Sequence, residues 1–317
     1  MARAGVDLGG TKIDVLVIEG DQEVLGRARR PTPADGGAHA IISAIAGAVT
    51  EAAADAGTTT AELTGVGVGS PGAVDEKAGT VAHASNLAGG WEDAFPFATE
   101  LTSLVGKPVR VANDVEAAAG AEIELGAGRN LPSFLAIWWG TGVGGSVVLN
   151  GERWYGLGAA GEVGHMVIRL GGRQCPCGRH GCVEAYAGRA AMEARARRLQ
   201  EHGQKTKLFD LMEAAKRDRL TSGIWQKALE QDDALARSLI ADAYEALAAA
   251  AASVLNLLDL DGVILGGGLG TRFGSDGAAR IRHEMERHLF HAERNPPVVP
   301  AELGDDGGAI GAALLVR

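Results

Sequence analysis

Arg3-Ala4-Gly5-Val6-Asp7-Leu8-Gly9-Gly10-Thr11-Lys12-Ile13-Asp14-Val15-Leu16-Val17-Ile18 is the stretch from which the fold is read. A short apolar run ends at Asp7-Leu8, a Gly-Gly-Thr turn follows, and a second apolar run extends to Ile18. Two strands joined by a tight glycine turn read as a β-hairpin. The amides of such a turn can approach phosphate oxygens closely, and Thr11 and Lys12 add a hydroxyl and a cation. Asp7 offers a carboxylate to a Mg²⁺ held through water. The same design recurs at 134–149, where Phe134-Leu135-Ala136-Ile137-Trp138-Trp139 runs into Gly140-Thr141-Gly142-Val143-Gly144-Gly145 and then Ser146 to Leu149. A third glycine cluster, Gly266-Gly267-Gly268, follows the strand pattern Gly262-Val263-Ile264-Leu265. Between the clusters, Leu235, Leu239, Ala243, Leu247, Ala251 and Leu255 repeat every fourth residue, which predicts a helix over about 233–258. Strand–glycine–strand units in two halves, with helices between, describe a duplicated α/β protein closing over a nucleotide.

The second informative stretch lies at 161–184. All three cysteines of the chain, Cys175, Cys177 and Cys182, fall within it, and His165 precedes them. Three thiolates and one imidazole suit a closed tetrahedral zinc site, whereas three unrelated buried thiols would rarely cluster so tightly. Gly178 and Gly181 let the short loop fold back around a metal. A metal here would bring the carboxylates of Glu162 and Glu184 into one locality. The zinc is expected to be structural, with no Lewis-acid role.

Bulk properties narrow the class. The 317 residues suggest two domains, and 46% apolar with 22% charged residues is ordinary for a globular chain. A net charge of −10 argues against a nucleic-acid surface. No uninterrupted apolar run approaches the ~18 residues of a membrane-spanning helix, and no secretory leader pattern is present. Cysteine usage fits a reducing compartment, so a cytoplasmic location without membrane partners is expected. The 47 glycines and abundant alanine read as composition bias without functional content.

Eight segments in order carry a family resemblance: DLGGTK (7–12), GVGSPGAVD (67–75), Asn86-Leu87 with Trp91, ANDVEAAAGAE (112–122), GTGVGGSVVLNG (140–151), AAGEVGHM (159–166), CPCGRHGCVEAYAG (175–188) and VILGGG (263–268). The chain resembles the ROK family of sugar kinases, part of the actin-like ATPase superfamily, and within it the bacterial ATP-dependent glucokinases. The resemblance implies a two-domain α/β actin-like (ribonuclease H-like) fold with an active-site cleft between domains. It divides the chain into a small domain over 1–112, a large one over 113–302, and a C-terminal helix over about 303–317 that returns to the small domain.

By the same resemblance Asp114 is the catalytic base that accepts the proton of a sugar hydroxyl during phosphoryl transfer. From the residues alone, Asp114 also reads as the N-cap of the helix that follows. Sugar contacts are implied for Asn86, Asn113, Asp114, Glu162, His165 and Glu184. ATP contacts are implied for Asp7, Gly9, Gly10, Thr11 and Lys12, for Gly140, Thr141 and Gly142, and for Gly266, Gly267 and Gly268 on the adenosine side. Mg²⁺ is implied because γ-phosphoryl transfer needs a cation on the phosphate oxygens. A homo-oligomer, dimer or tetramer, is expected.

Two features depart from the family pattern. The strand before the second turn ends in Trp138-Trp139, one indole facing each side, so that one lines the nucleotide site or both are core. The spacer Ala88-Gly89-Gly90 between Asn86 and Trp91 is altered, which bears on sugar choice. The same motifs serve kinases of other hexoses and N-acetylhexosamines. The repressor branch of the family carries a winged helix-turn-helix ahead of the first hairpin, which this sequence does not show, so an enzyme is expected; with Glu162-Val163-Gly164-His165, Asn86 and Asp114 in place, the resemblance points to glucose, phosphorylated at the 6-hydroxyl.

Overall fold

The computed structural model describes residues 1–84, 87–89 and 91–316. They form two compact units, one of Met1–Arg129 with the segment from Asp305 onward, the other of Asn130–Gly304. In the first unit, β1 (Arg3–Leu8) and β2 (Lys12–Glu19) form the expected hairpin, and β3 (Glu23–Pro31) extends it with a bulge at Val17/Ile18. Helix α1 (Gly37–Asp55) lays Ile41, Ile42, Ile45 and Val49 into the core. Strand β4 (Val66–Ser70) then pairs in parallel with β1. A small ladder of β5 (Ala73–Asp75) and β6 (Thr80–Ala82) precedes α2 (Phe97–Val105) and β7 (Val109–Asn113), which closes the sheet parallel to β4. The order is β3-β2-β1-β4-β7. Strands β1, β2 and β4 are buried along nearly their whole length because helices cover both faces, so they read as continuous rather than alternating apolar runs.

Helix α3 (Asp114–Leu125) ends this stretch. The second unit repeats the plan. Strands β8 (Phe134–Trp139) and β9 (Val143–Leu149) form the second hairpin, extended by β10 (Glu152–Arg153). After the cysteine loop come α4 (Glu184–Ala187), α5 (Arg189–Glu201), α6 (Leu208–Ala214), α7 (Ser222–Glu230) and α8 (Ala234–Leu258). Strand β11 (Gly262–Gly266) lies parallel to β8, α9 (Gly267–Glu286) follows, and β12 (Val298–Pro300) closes the sheet in the order β10-β9-β8-β11-β12. Strand for strand this is the order of the first sheet. The predicted helix at 233–258 is α8, capped by Asp233 through the amide of Ala236. By length and composition α1 and α8 are apolar enough to cross a membrane, but each lays a buried face into its unit's core.

The chain ends in α10 (Gly307–Leu314), which packs on β1, β4 and α3. Its placement bears on two expectations. The compact units divide after α3, at Arg129/Asn130, a little beyond the domain boundary read from sequence at 112/113. The small buried residues Ala117, Ala118 and Ala121 bind α3 to α10, and so to the first sheet. Glycine here is also more than composition bias. A Cβ on Gly67 would lie 1.7 Å from the Ala312 carbonyl oxygen, so only glycine lets α10 lie directly against the strand.

Candidate active site and metal centre

The first turn is closed by the Gly9 amide donating to the Lys12 carbonyl (2.9 Å) and braced by the Thr32 hydroxyl donating to the Gly9 carbonyl (2.6 Å). This leaves Gly10 and Thr11 exposed at its tip. Lys12 points along β2, and its ammonium lies 2.5 Å from Asp14, a nearly buried carboxylate that also accepts from Arg29. The Lys12 charge is thereby matched within the protein, a partnership the sequence did not signal.

Asp7 and Asp114 stand on either side of one glycine. Asp7 is the register partner of Gly69 on β4, and a Cβ on Gly69 would meet the Asp114 Cα at 3.3 Å. Burial, followed by the negative charge of Asp114, pushes the Asp7 carboxyl from 3.8 up to about 7, with Lys12 acting in the opposite direction. A cation beside these carboxylates would relieve that cost, and an oxygen-donor carboxylate suits Mg²⁺. The cap of α3 is Asn113, whose Oδ1 accepts from the amides of Val115 (3.0 Å) and Glu116 (3.3 Å), while its Nδ2 donates to the Gly72 carbonyl. Asp114 is thus the first helical residue and not the cap, although its Oδ1 also accepts from Val115. Both ends of the Asn113 amide are engaged by the backbone. Asn86 lies outside the described residues.

The metal ligands expected from sequence come together. One ligand atom each from His165, Cys175, Cys177 and Cys182 lies within 4.8 Å of the others. The Cys175 Sγ to His165 Nδ1 and Cys177 Sγ to Cys182 Sγ separations are both 3.9 Å. A tetrahedron with metal–sulfur bonds of about 2.3 Å has edges of about 3.8 Å, so the set fits Zn²⁺ in spacing and in donor type. The loop is shaped by Cys175 donating its amide to the Arg179 carbonyl and by Gly181 donating to Arg173 (both 2.8 Å). Burial pushes the Cys175 thiol up to about 12, whereas the Arg179 amide pulls exposed Cys177 down to about 6. A bound divalent cation favours the thiolate in each case. His165 sits on a 3₁₀ turn (Val163–His165) with Nδ1 toward the thiols and Nε2 toward Glu162, 4.0 Å away. A metal taken by Nδ1 would leave Nε2 for a second polar contact.

Glu184 starts α4, and its Oε2 accepts from the Val143 amide at 2.9 Å. A Cβ on Gly142 would reach 2.3 Å from the same oxygen, so the glycine in the turn makes room for this carboxylate. The cysteine loop is thus tied to the second glycine turn through Glu184. Two other pieces meet that turn. A Cβ on Gly140 would lie 3.9 Å from the Gly268 amide nitrogen at the start of α9. On the other side, Arg189 and Ala190 of α5 donate their amides to the Gly140 and Thr141 carbonyls at 3.1 and 3.0 Å. Arg189 also donates through Nη2 to the Thr141 hydroxyl (2.7 Å), a contact the sequence reading missed because nothing local marks it.

Trp139 is core, packed edge-on against Tyr244 and tilted against Phe273 (centroids 5.4 and 5.3 Å) and donating to the Ala187 carbonyl. Trp138 takes the other face. Half-buried, its indole lies over Gly266, where a Cβ would come within 2.9 Å of the ring.

The ROK family profile matches residues 3–317. A glucokinase of Halalkalibacterium halodurans is 33% identical over 99% of this chain and 94% of its own length. The N-acetyl-D-glucosamine kinase of Escherichia coli is 29% identical over 98% of each chain. Among solved structures, a ROK family glucokinase from Streptomyces griseus in complex with glucose and AMPPNP superposes with a TM-score of 0.85 at 31% identity, over 99% of both chains. Two sheets of one strand order, the clustered Cys₃His ligands and a match along the whole length agree: the chain belongs to the ROK family and has the actin-like ATPase fold of its sugar kinases.

Proposed function

We propose that this protein is an ATP-dependent sugar kinase whose preferred substrate is glucose, phosphorylated at the 6-hydroxyl with Asp114 as general base. The observation that carries the reading is the carboxylate pair flanking Gly69. Burial and then the charge of Asp114 push the Asp7 carboxyl up to about 7, and a cation beside the pair would relieve that cost, as magnesium-dependent phosphoryl transfer requires. Asp114 accepts the proton of the attacking hydroxyl, a poor nucleophile until that proton leaves. Asp7 and the turns at Gly9–Thr11 and Gly140–Gly142 serve the donor phosphates, Thr11 and Thr141 through their hydroxyls and Gly10 through the backbone of the exposed turn tip. Gly266–Gly268 serve the adenosine end. Mg²⁺, when bound, offsets charge on the phosphate oxygens.

Sugar hydroxyls are proposed to meet Asn86, Asn113, Asp114, Glu162, His165 and Glu184, a donor–acceptor set that would reject analogues lacking a matching hydroxyl. Zn²⁺ on His165, Cys175, Cys177 and Cys182 has the structural task of orienting the imidazole and carrying Glu184. The likeness to the E. coli N-acetyl-D-glucosamine kinase supports a second reading, in which an N-acetylhexosamine is preferred. A coupled assay of kcat/KM across glucose, mannose, fructose, N-acetylglucosamine and N-acetylmannosamine decides between them. Glucose is expected to lead. A lead for any other sugar overturns the substrate but keeps the kinase, and no turnover on any sugar overturns the enzyme in favour of a non-catalytic sensor.

A further inference from the structure

Beside the second glycine turn lies a pocket of about 350 Å³ lined by Thr141, Arg189, Glu193, Arg197 and Arg219. Its charges are unequal. Glu193 is already committed, one oxygen to Arg197 (2.6 Å) and the other to the Leu220 amide (2.8 Å). Arg189 is held by neutral groups, Nη1 donating to the Leu220 carbonyl and Nη2 to the Thr141 hydroxyl, both at 2.7 Å. A guanidinium has five N–H donors, so these two bonds fix its plane and leave donors to spare. Burial works most strongly against its cation, Glu193 opposes that effect, and the like charge of Arg219 adds a smaller push in the same direction as burial. Because the Thr141 oxygen accepts from Arg189, its own hydrogen is left for another partner, and the exposed Thr141 can donate to a group at the turn.

Resting on the kinase reading above, we propose that Arg189, supported by Arg219, forms an anion subsite continuous with the Gly140–Thr141–Gly142 turn and binds the phosphate chain of the phosphoryl donor. Arg189 is a donor-binding residue in this assignment, and it orients Thr141 as well. The consequence is selective: phosphate recognition depends on Arg189, whereas adenosine and sugar recognition do not.

The test uses the whole zinc-loaded protein with Arg189→Gln, Arg189→Lys and Arg219→Gln, titrated with a non-hydrolysable ATP analogue, inorganic tripolyphosphate, adenosine and glucose. Arg189→Gln is expected to weaken the analogue and tripolyphosphate by about 10–100-fold, the usual worth of a charged hydrogen bond, with adenosine and glucose unchanged. Arg189→Lys recovers part of the loss, because a point charge replaces a fork. Because Arg189 also braces Leu220, Arg219→Gln provides an exposed second probe, expected to weaken tripolyphosphate several-fold. Equal tripolyphosphate affinity in wild type, Arg189→Gln and Arg219→Gln overturns the subsite alone. Equal losses for adenosine and tripolyphosphate overturn it too, as a general distortion. A wild-type protein that binds neither nucleotide nor tripolyphosphate overturns the kinase reading itself.

Discussion

Asp7→Asn removes the most strained ionisation of the first unit while keeping the shape of the side chain. In the folded protein burial and Asp114 push the Asp7 carboxyl up to about 7 from an ordinary 3.8, a difference worth about 4 kcal/mol at most. Since the folded value is the higher one, the folded state holds the proton more tightly. Stability is therefore lost as pH rises from the unfolded value through the folded one, and is level above it. Between about pH 5 and about pH 8.5 the wild type should lose about 2–3 kcal/mol that the asparagine variant keeps. Urea denaturation of both proteins at several pH values in magnesium-free buffer measures this difference directly. The variant should be the more stable protein at alkaline pH, yet a poor kinase, because it has lost a carboxylate proposed to serve Mg²⁺. A stability difference between the two proteins that does not change with pH would refute the reasoning, since burial and Asp114 could not then be acting on Asp7.

Four further outcomes are expected. Asp114→Asn should keep fold and sugar affinity while lowering turnover by about 10²–10⁴, the usual contribution of a positioned base; near wild-type kcat in the purified variant would remove Asp114 from that role. Cys177→Ala should lower both thermal stability and sugar affinity, because the loop carries His165 and Glu184. Elemental analysis of active wild-type protein should find about one zinc per chain, and active zinc-free protein would contradict the metal assignment. Glu184→Gln weakens the bond to the Val143 amide and should raise the KM for glucose by about tenfold, the scale of one charged hydrogen bond; a rise confined to the KM for ATP would assign Glu184 to the turn alone.

Much of this protein is legible in its sequence because the decisive signals are local. A strand, a glycine turn and a returning strand are contiguous, so both hairpins and the repeated sheet plan can be read from 3–18 and 134–149. The four residues of the Cys₃His set span so short a stretch that the chain has little freedom to hold them apart. What tertiary structure decided involves partners far apart in sequence. Whether Asn113 or Asp114 caps α3 depended on where Gly72 placed its carbonyl. The boundary between units was set by α10 returning onto α3, a contact no window of sequence contains. Trp138 and Trp139 were divided by which sheet face Tyr244 and Phe273 cover. The glycines read as composition proved necessary where a backbone from elsewhere closes in, as Ala312 does on Gly67. Periodicity and spacing determine which elements form, because those depend on neighbouring residues; which side chains meet at the site depends on packing between elements that the chain brings together only when folded.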